Sequence, residues 1–294
     1  MKRVEDPAQL QLIALSLSPN IGSATLSNLL QYFDDDLGAA LAAPADELMR
    51  VPGIGAKIAS EIGAINLDRL ACELESWREQ GVTILMRGDA DYPVPLHAAE
   101  DAPMTLFASR VLPAEILSNA VAIVGTRQPS KEARYITLGL AMQLARAGIA
   151  VVSGLALGID TAAHTGALSA NGFTIAVLGS GLLRIYPETN RGLAQRIGAA
   201  GALISETRPC WGANAQRLVA RNRIISGLSR ALIVVESDIE GGAMYAARFA
   251  REQGRHVYTF DLPASGNQRL IAEGAIALRR DDPLRDLPGL LALV

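Results

Sequence analysis

Residues Ala150–Leu168 read AVVSGLALGIDTAAHTGAL. An apolar burst, Ala150-Val151-Val152, ends at Ser153-Gly154. A glycine loop from Leu155 to Gly158 follows, and Asp160 then leads into an alanine-rich segment of helical character. A short β-branched run, a turn of small residues and a helix start make the βα unit of a doubly wound sheet. Glycine at the turn lets backbone N–H groups approach a ligand with no Cβ in the way. Asp160 is placed to accept hydrogen bonds from the first free N–H groups of the helix. Strand-end crevices of this kind hold ligands in open α/β sheets, often by their phosphates.

The same grammar extends on both sides. Val121–Gly125, Phe173–Gly179, Ala202–Glu206, Ala231–Glu236 and His256–Phe260 read as strands, with Ala275–Leu278 as a short last one and helical stretches between most of them. Val/Ile-rich runs without alternation suit strands buried on both faces, which predicts a mainly parallel sheet. Upstream, Val82–Met86 and Met104–Phe107 also read as strands, joined by the loop ADYPVPLHAAEDAP and preceded by a helix over Leu67–Gln80.

The N-terminal stretch is helical and repeats itself. Gln9–Leu17, the turn Ser18-Pro19-Asn20-Ile21-Gly22 and Ala24–Tyr32 form one helix–turn–helix. Leu48-Met49, Val51-Pro52-Gly53-Ile54-Gly55 and Ala56–Ile65 form the second. VPGIGAKIA resembles the helix-hairpin-helix motif, whose open helix N-terminus holds a DNA phosphate without reading sequence. The first copy departs from it at Asn20, although asparagine tolerates the left-handed conformation glycine would take. Only Lys57 adds charge, and Asp34-Asp35-Asp36 opposes a basic face, so a spacer or interaction role suits this module better than phosphate binding.

Half of the 294 residues are hydrophobic and 19% are charged, enough for a sizeable core, and 27 glycines suit close-packed α/β layers. No apolar run reaches the roughly 18 residues of a membrane span, and the start, MKRVEDPAQL, has no signal-peptide core. A cytoplasmic protein without membrane attachment is therefore expected. Cys72 and Cys210 stand in no metal spacing and read as incidental thiols. The net charge of −3 excludes a protein that coats nucleic acid nonspecifically, so any such site must be local. One region suits it. Arg184, Arg191, Arg196, Arg208, Arg217, Arg221, Arg223 and Arg230 share their stretch with only Glu188 and Glu206. Arginine's planar fork grips phosphate and stacks on bases.

Candidate site residues follow the strand ends. Gly125-Thr126-Arg127 with Ser130 suits a phosphate cup. Gly179-Ser180-Gly181 leads to Arg184, Tyr186-Pro187 and Asn190, and Tyr186 suits either base stacking or loop packing. On one helix Arg221 and Arg223 would sit about 200° apart. Either they precede the helix, or one is structural and pairs with Glu206 or Glu236; one of each kind is expected. His164 lies one helical turn after Asp160. It reads as a hydrogen-bonded residue holding the glycine loop, since as a base it would have only Ser153 as a nearby nucleophile. No cluster has metal-ligand spacing, and neither a cofactor nor catalytic activity is expected.

VAIVGTR, VVSGLALGIDTAAHTGAL, GFTIAVLGSGL, YPETN, GALISE and RNRIISGLS, in this order, resemble the DprA/Smf family of DNA-processing proteins. The resemblance implies an α/β fold with an extended Rossmann-like domain at 67–294 and a small all-helical N-terminal domain (helix-hairpin-helix, SAM-like) at 1–66. It also implies a homodimer that binds single-stranded DNA and delivers it to a RecA-type recombinase during natural transformation. The implied DNA pocket comprises Gly125, Thr126, Arg127, the Ser153-Gly154 turn, the loop from Gly181 through Arg184 and Tyr186 to Asn190, and Arg221 or Arg223.

Three departures stand against the family pattern. Where members usually carry Ser-Gly-Ser-Leu-Ile-Thr-Ala, this chain has Gly241-Gly242-Ala243-Met244-Tyr245-Ala246-Ala247, which weakens a phosphate role for that loop. The loop after Phe260 reads DLPAS in place of a longer one opening Val-Pro-Gly, and an architecture without the winged-helix domain of many members is expected. Two rival readings are a nucleotide-binding sensor using the same cup, and a nucleoside monophosphate hydrolase. The hydrolase would need Gly-Thr after Glu240-Gly241-Gly242, and the sequence lacks it.

Overall fold

The computed structural model describes residues 6–18, 20–97, 99 and 101–287. Pro19 of the first turn and the extreme ends lie outside the described residues. The chain divides into two compact units, one running to Tyr92 and taking in the stretch ending at Leu106, the other taking Pro93–Ala99 and the chain from Phe107 onward.

In the first unit the helices Pro7–Ser16, Ser23–Tyr32, Leu37–Ala42, Ala45–Leu48 and Ala56–Gly63 surround one apolar cluster that includes Leu15, Ile21, Leu29, Val51, Ile54 and Ile62. The turn isoleucines of both repeats, Ile21 and Ile54, enter the same core. Gly53 holds a φ of 87°, as the tight turn requires. Asn20 Nδ2 donates to Glu61 Oε1 at 2.7 Å and ties the repeats together. Asp34 and Asp35 take the left-handed conformation, with φ of 48° and 61°, so the acidic triplet is a chain reversal. The Leu67–Glu79 helix, burying Leu70, Leu74 and Trp77, and β1 (Thr83–Met86) also pack in this unit.

The second unit is built on β2 (Thr105–Ala108, through its Phe107-Ala108 half), β3 (Ala120–Val124), β4 (Ala150–Ser153), β5 (Thr174–Val177), β6 (Ala202–Ser205), β7 (Ala231–Val234), β8 (His256–Phe260) and β9 (Ile276–Leu278). Their order is β2-β6-β5-β4-β3-β7-β8-β9, parallel throughout except for the β2–β6 pair. Every residue of β3 to β7 is buried, which is why their sequences do not alternate. On one face Val121, Ile123, Val151 and Ile233 meet Leu140, Leu144, Ala163 and Ala167 of the Lys131–Arg146 and Ile159–Ser169 helices. Each fully buried Val, Ile or Leu there contributes about 1.5–3 kcal/mol. The short Val94–His97 helix, which the sequence did not announce, interrupts the loop before β2. Among the described residues no helix is long and apolar enough to cross a membrane.

This strand order positions the site. From β3 the chain steps outward through β4, β5 and β6, then returns to β7 on the other side of β3 and steps the opposite way. The loops leaving β3 and β7 therefore diverge, and a crevice opens at their C-terminal ends.

Candidate nucleic-acid interface

Two glycines fix the loop after β4. A Cβ on Gly154 would lie 2.0 Å from Arg221 Nη1, so the guanidinium occupies the space a side chain would fill. Gly158 has a φ of 80°, and its Cβ would lie 2.4 Å from Thr126 O. Between them Leu155, fully buried, is held at a φ of 62°, a conformation costing an L-residue about 1–2 kcal/mol. The loop is clamped from outside by Asn190, whose Nδ2 donates to Leu155 O and Thr161 Oγ1, both at 2.9 Å.

Asp160 sits inside the Ile159–Ser169 helix with Gly158 at its N-cap, and it does not cap that helix. Its Oδ2 instead accepts from Gly154 N and Ala156 N, both at 3.2 Å, and faces Arg221 Nη2 at 3.7 Å. Arg221 Nη1 also donates to Gly154 O and, at 2.6 Å, to Val177 O. Burial pushes the Asp160 carboxyl up, against the pull of the guanidinium and the loop N–H groups. Arg221 thus lies on the floor of the crevice with its charge compensated from within. It stands at the junction of the Ala215–Ala220 and Asn222–Gly227 helices, and Arg223, two residues on, pairs with Glu206 at 2.5 Å.

Above this floor lies a cleft of about 660 Å³, lined by Gly125–Gln128, Ala156, Tyr186, Ala213–Ala215, Leu218, Val219, Arg221, Ser237, Asp238 and Gly241–Ala243 among others. A narrow recess of about 40 Å³ continues from it past Gly154 and Pro187. The Gly125-Thr126 turn is set by Thr126 N donating to Glu236 O at 2.7 Å, which leaves the Arg127 side chain exposed at the cleft. Tyr186 is 45% exposed.

Of the residues expected from sequence, the structure brings Gly125, Thr126, Arg127, Tyr186 and Arg221 into the cleft and Gly154 into the recess. It places the others outside the lining. Ser130 Oγ accepts from Ala133 N and caps the Lys131–Arg146 helix, while its N–H donates to Glu236 Oε2. Ser153 Oγ is fully buried and donates to Ile123 O at 2.6 Å. Gly181 is pressed against Arg208 O, Arg184 is exposed elsewhere, Asn190 clamps the loop and Arg223 is held by Glu206. The arginine-rich stretch is therefore dispersed among several roles and does not form one basic face.

His164 is fully buried, with Nδ1 2.7 Å from Thr174 Oγ1. It braces β5 rather than the glycine loop itself. Burial, helped by the Arg221 charge, lowers its pKa to about 3, so the ring is neutral, and Ser153 gives its proton to a carbonyl instead of to this ring. The Gly241-Gly242 loop, despite its departures, forms part of the cleft wall. Leu218, Val219 and Asp238 were not read from the sequence, because nothing local marks a residue that reaches the crevice from a neighbouring helix or the next loop.

Residues 83–287 match the family described as DNA recombination-mediator protein A. DNA processing protein DprA of Bacillus subtilis is 34% identical over 269 residues, 89% of this chain and 90% of that protein. Protein Smf of Synechocystis is 36% identical over 293 residues, 96% of this chain and 73% of that protein. Among solved structures, DNA processing protein A of Streptococcus pneumoniae is similar with a TM-score of 0.76 at 28% identity, covering 96% of this chain and 98% of that one. The Helicobacter pylori structure, described as showing a single-stranded DNA binding mode, reaches a TM-score of 0.63 at 28% identity, covering 70% of this chain and 95% of that one.

Proposed function

The chain belongs to the DprA/Smf family of DNA-processing proteins, and we propose that its cleft binds single-stranded DNA. The observation that carries this reading is the exposed Arg127 on its Gly-Thr turn, in a cleft whose inner cation, Arg221, is already matched by Asp160. Arg127 is the cation left for an incoming phosphate. Tyr186 in the same cleft offers a face to a base. A duplex hides its base faces and suits a broad basic surface, whereas a single strand bends into a narrow cleft.

The extended Rossmann-like portion carries this site, with the SAM-like hairpins of 1–66 as a separate module. The family's description as a recombination mediator supports a further step, in which a cytoplasmic homodimer passes the strand to a RecA-type recombinase during natural transformation. The test is affinity for oligo-dT and for a matched duplex across several salt concentrations. Single strands should bind at least about tenfold tighter, with a log–log salt slope of roughly −2 to −4 from a few neutralised phosphates. Equal affinities would overturn the reading, and complete competition by a mononucleotide would make the cleft a nucleotide sensor.

A further inference from the structure

Beside the cleft, Trp211 carries two arginines: Arg217 Cζ lies 4.6 Å and Arg208 Cζ 5.4 Å from its ring centroid. We propose that this Trp–Arg cluster is a second contact for single-stranded DNA, taking an unstacked base and its phosphate as the strand leaves the cleft. The proposal rests on the reading that the cleft holds the strand.

Four observations carry it. The chain has two tryptophans; Trp77 is buried in the first unit, whereas Trp211 is partly exposed in a loop. That loop is held rigidly, with Gly181 N donating to Trp211 O at 2.8 Å, Leu183 N to Pro209 O at 3.0 Å, and Gly181 packed directly on Arg208 O. A pre-set aromatic platform loses little freedom when a base stacks on it. Arg217 donates to Gly212 O at 2.8 Å, and among the described residues no carboxylate pairs with it, so its charge is open to an anion. Finally, Ala213–Ala215 line the cleft two residues beyond Trp211, a reach of at most about 7 Å. Arg217 shares the Ala215–Ala220 helix with Leu218 and Val219, which also line it.

The chemistry matches a strand rather than a mononucleotide. Indole and guanidinium planes stack on any base, which gives affinity without sequence preference, and the arginine charge falls beside the linking phosphate. This also accounts for Gly181 and Leu183: they act on the strand indirectly, by seating Trp211. Cleft and cluster together form a track longer than the cleft alone.

The experiment uses tryptophan emission. In full-length Trp77→Phe the only emitter is Trp211, titrated with oligo-dT of about 4 and about 12 nucleotides, within the range of single-strand sites. The longer strand should bind tighter and quench Trp211. Trp211→Ala and Arg217→Gln should each weaken the longer strand by at least about 5-fold, leaving the shorter one within about twofold. If Trp77→Phe does not fold, the difference in emission between wild type and Trp211→Phe gives the same signal. A longer strand that binds without quenching, and with unchanged affinity in both variants, overturns the proposal and leaves the cleft reading standing. Failure of the wild type to bind either strand sinks both.

Discussion

Asp160→Asn tests the floor of the cleft. Asp160 is 4% exposed and Arg221 6%, with Oδ2 and Nη2 3.7 Å apart. Asparagine keeps the shape and one acceptor for Gly154 N and Ala156 N but withdraws the charge opposite the guanidinium. Removing one partner of a buried pair costs about 3–5 kcal/mol. Arg221 retains its bonds to Gly154 O and Val177 O, so the loss should fall at the lower end, about 3 kcal/mol. Against a total stability of about 5–15 kcal/mol, the variant folds but unfolds at clearly lower urea. Pairing it with Arg221→Met, which keeps the aliphatic stem, closes a double-mutant cycle. Trp211 emission in a Trp77→Phe background follows the unit that contains the pair. The double variant should be less destabilised than the sum of the single ones, by a coupling of about 1–3 kcal/mol. A coupling below about 0.5 kcal/mol would mean that the two groups do not hold each other, and the reading of Arg221 as an internally matched cation would fall.

Arg127→Ala should weaken oligo-dT binding by about 1–3 kcal/mol while leaving the Tm unchanged, since the side chain is exposed; fluorescence anisotropy and a thermal melt check both. Arg223→Gln should do the reverse, lowering the urea midpoint through loss of the Glu206 pair and leaving oligo-dT affinity within about twofold. Stability should also depend on His164. Its folded pKa of about 3 lies below the ordinary imidazole value of 6.5, so its contribution is complete above pH 6.5 and is lost as pH falls from there toward 3, by up to about 1.4 kcal/mol per unit. Urea unfolding at pH 7 and pH 5 should show a smaller difference in His164→Gln than in wild type; equal differences would remove this histidine from the acid response.

The sheet was legible because its signals are local. Val121–Gly125 was read and β3 is Ala120–Val124; His256–Phe260 was read and is β8. Runs of Val, Ile and Ala ending at glycine mark buried strands wherever they occur. The Gly-Thr-Arg turn was legible for the same reason. What was not legible depended on partners distant in sequence. Asp160 reads as a helix cap until Arg221, brought over from the far side of the sheet, shows why its carboxylate turns back to the Gly154 and Ala156 N–H groups. Arg221 and Arg223 look alike in the chain. A break between two short helices sends one to Asp160 and the other to Glu206. Asn190 resembles a ligand-binding asparagine, yet its amide is consumed by the carbonyls of a loop it was never adjacent to.

The pairing of β3 with β7 also has a consequence for how the protein is made. Val121 lies beside Ala231, more than a third of the chain later, and Thr126 takes its turn geometry from Glu236 O. A nascent chain that has emerged only as far as β6 can lay β3, β4, β5 and β6 side by side, but β3 is then an open edge of Ala120-Val121-Ala122-Ile123-Val124 with no partner. Such an edge is apolar and uncharged, the kind that pairs with any strand it meets. Synthesis therefore passes through an interval in which half the cleft exists and its most aggregation-prone strand is uncovered, and the arrival of β7 ends both conditions at once.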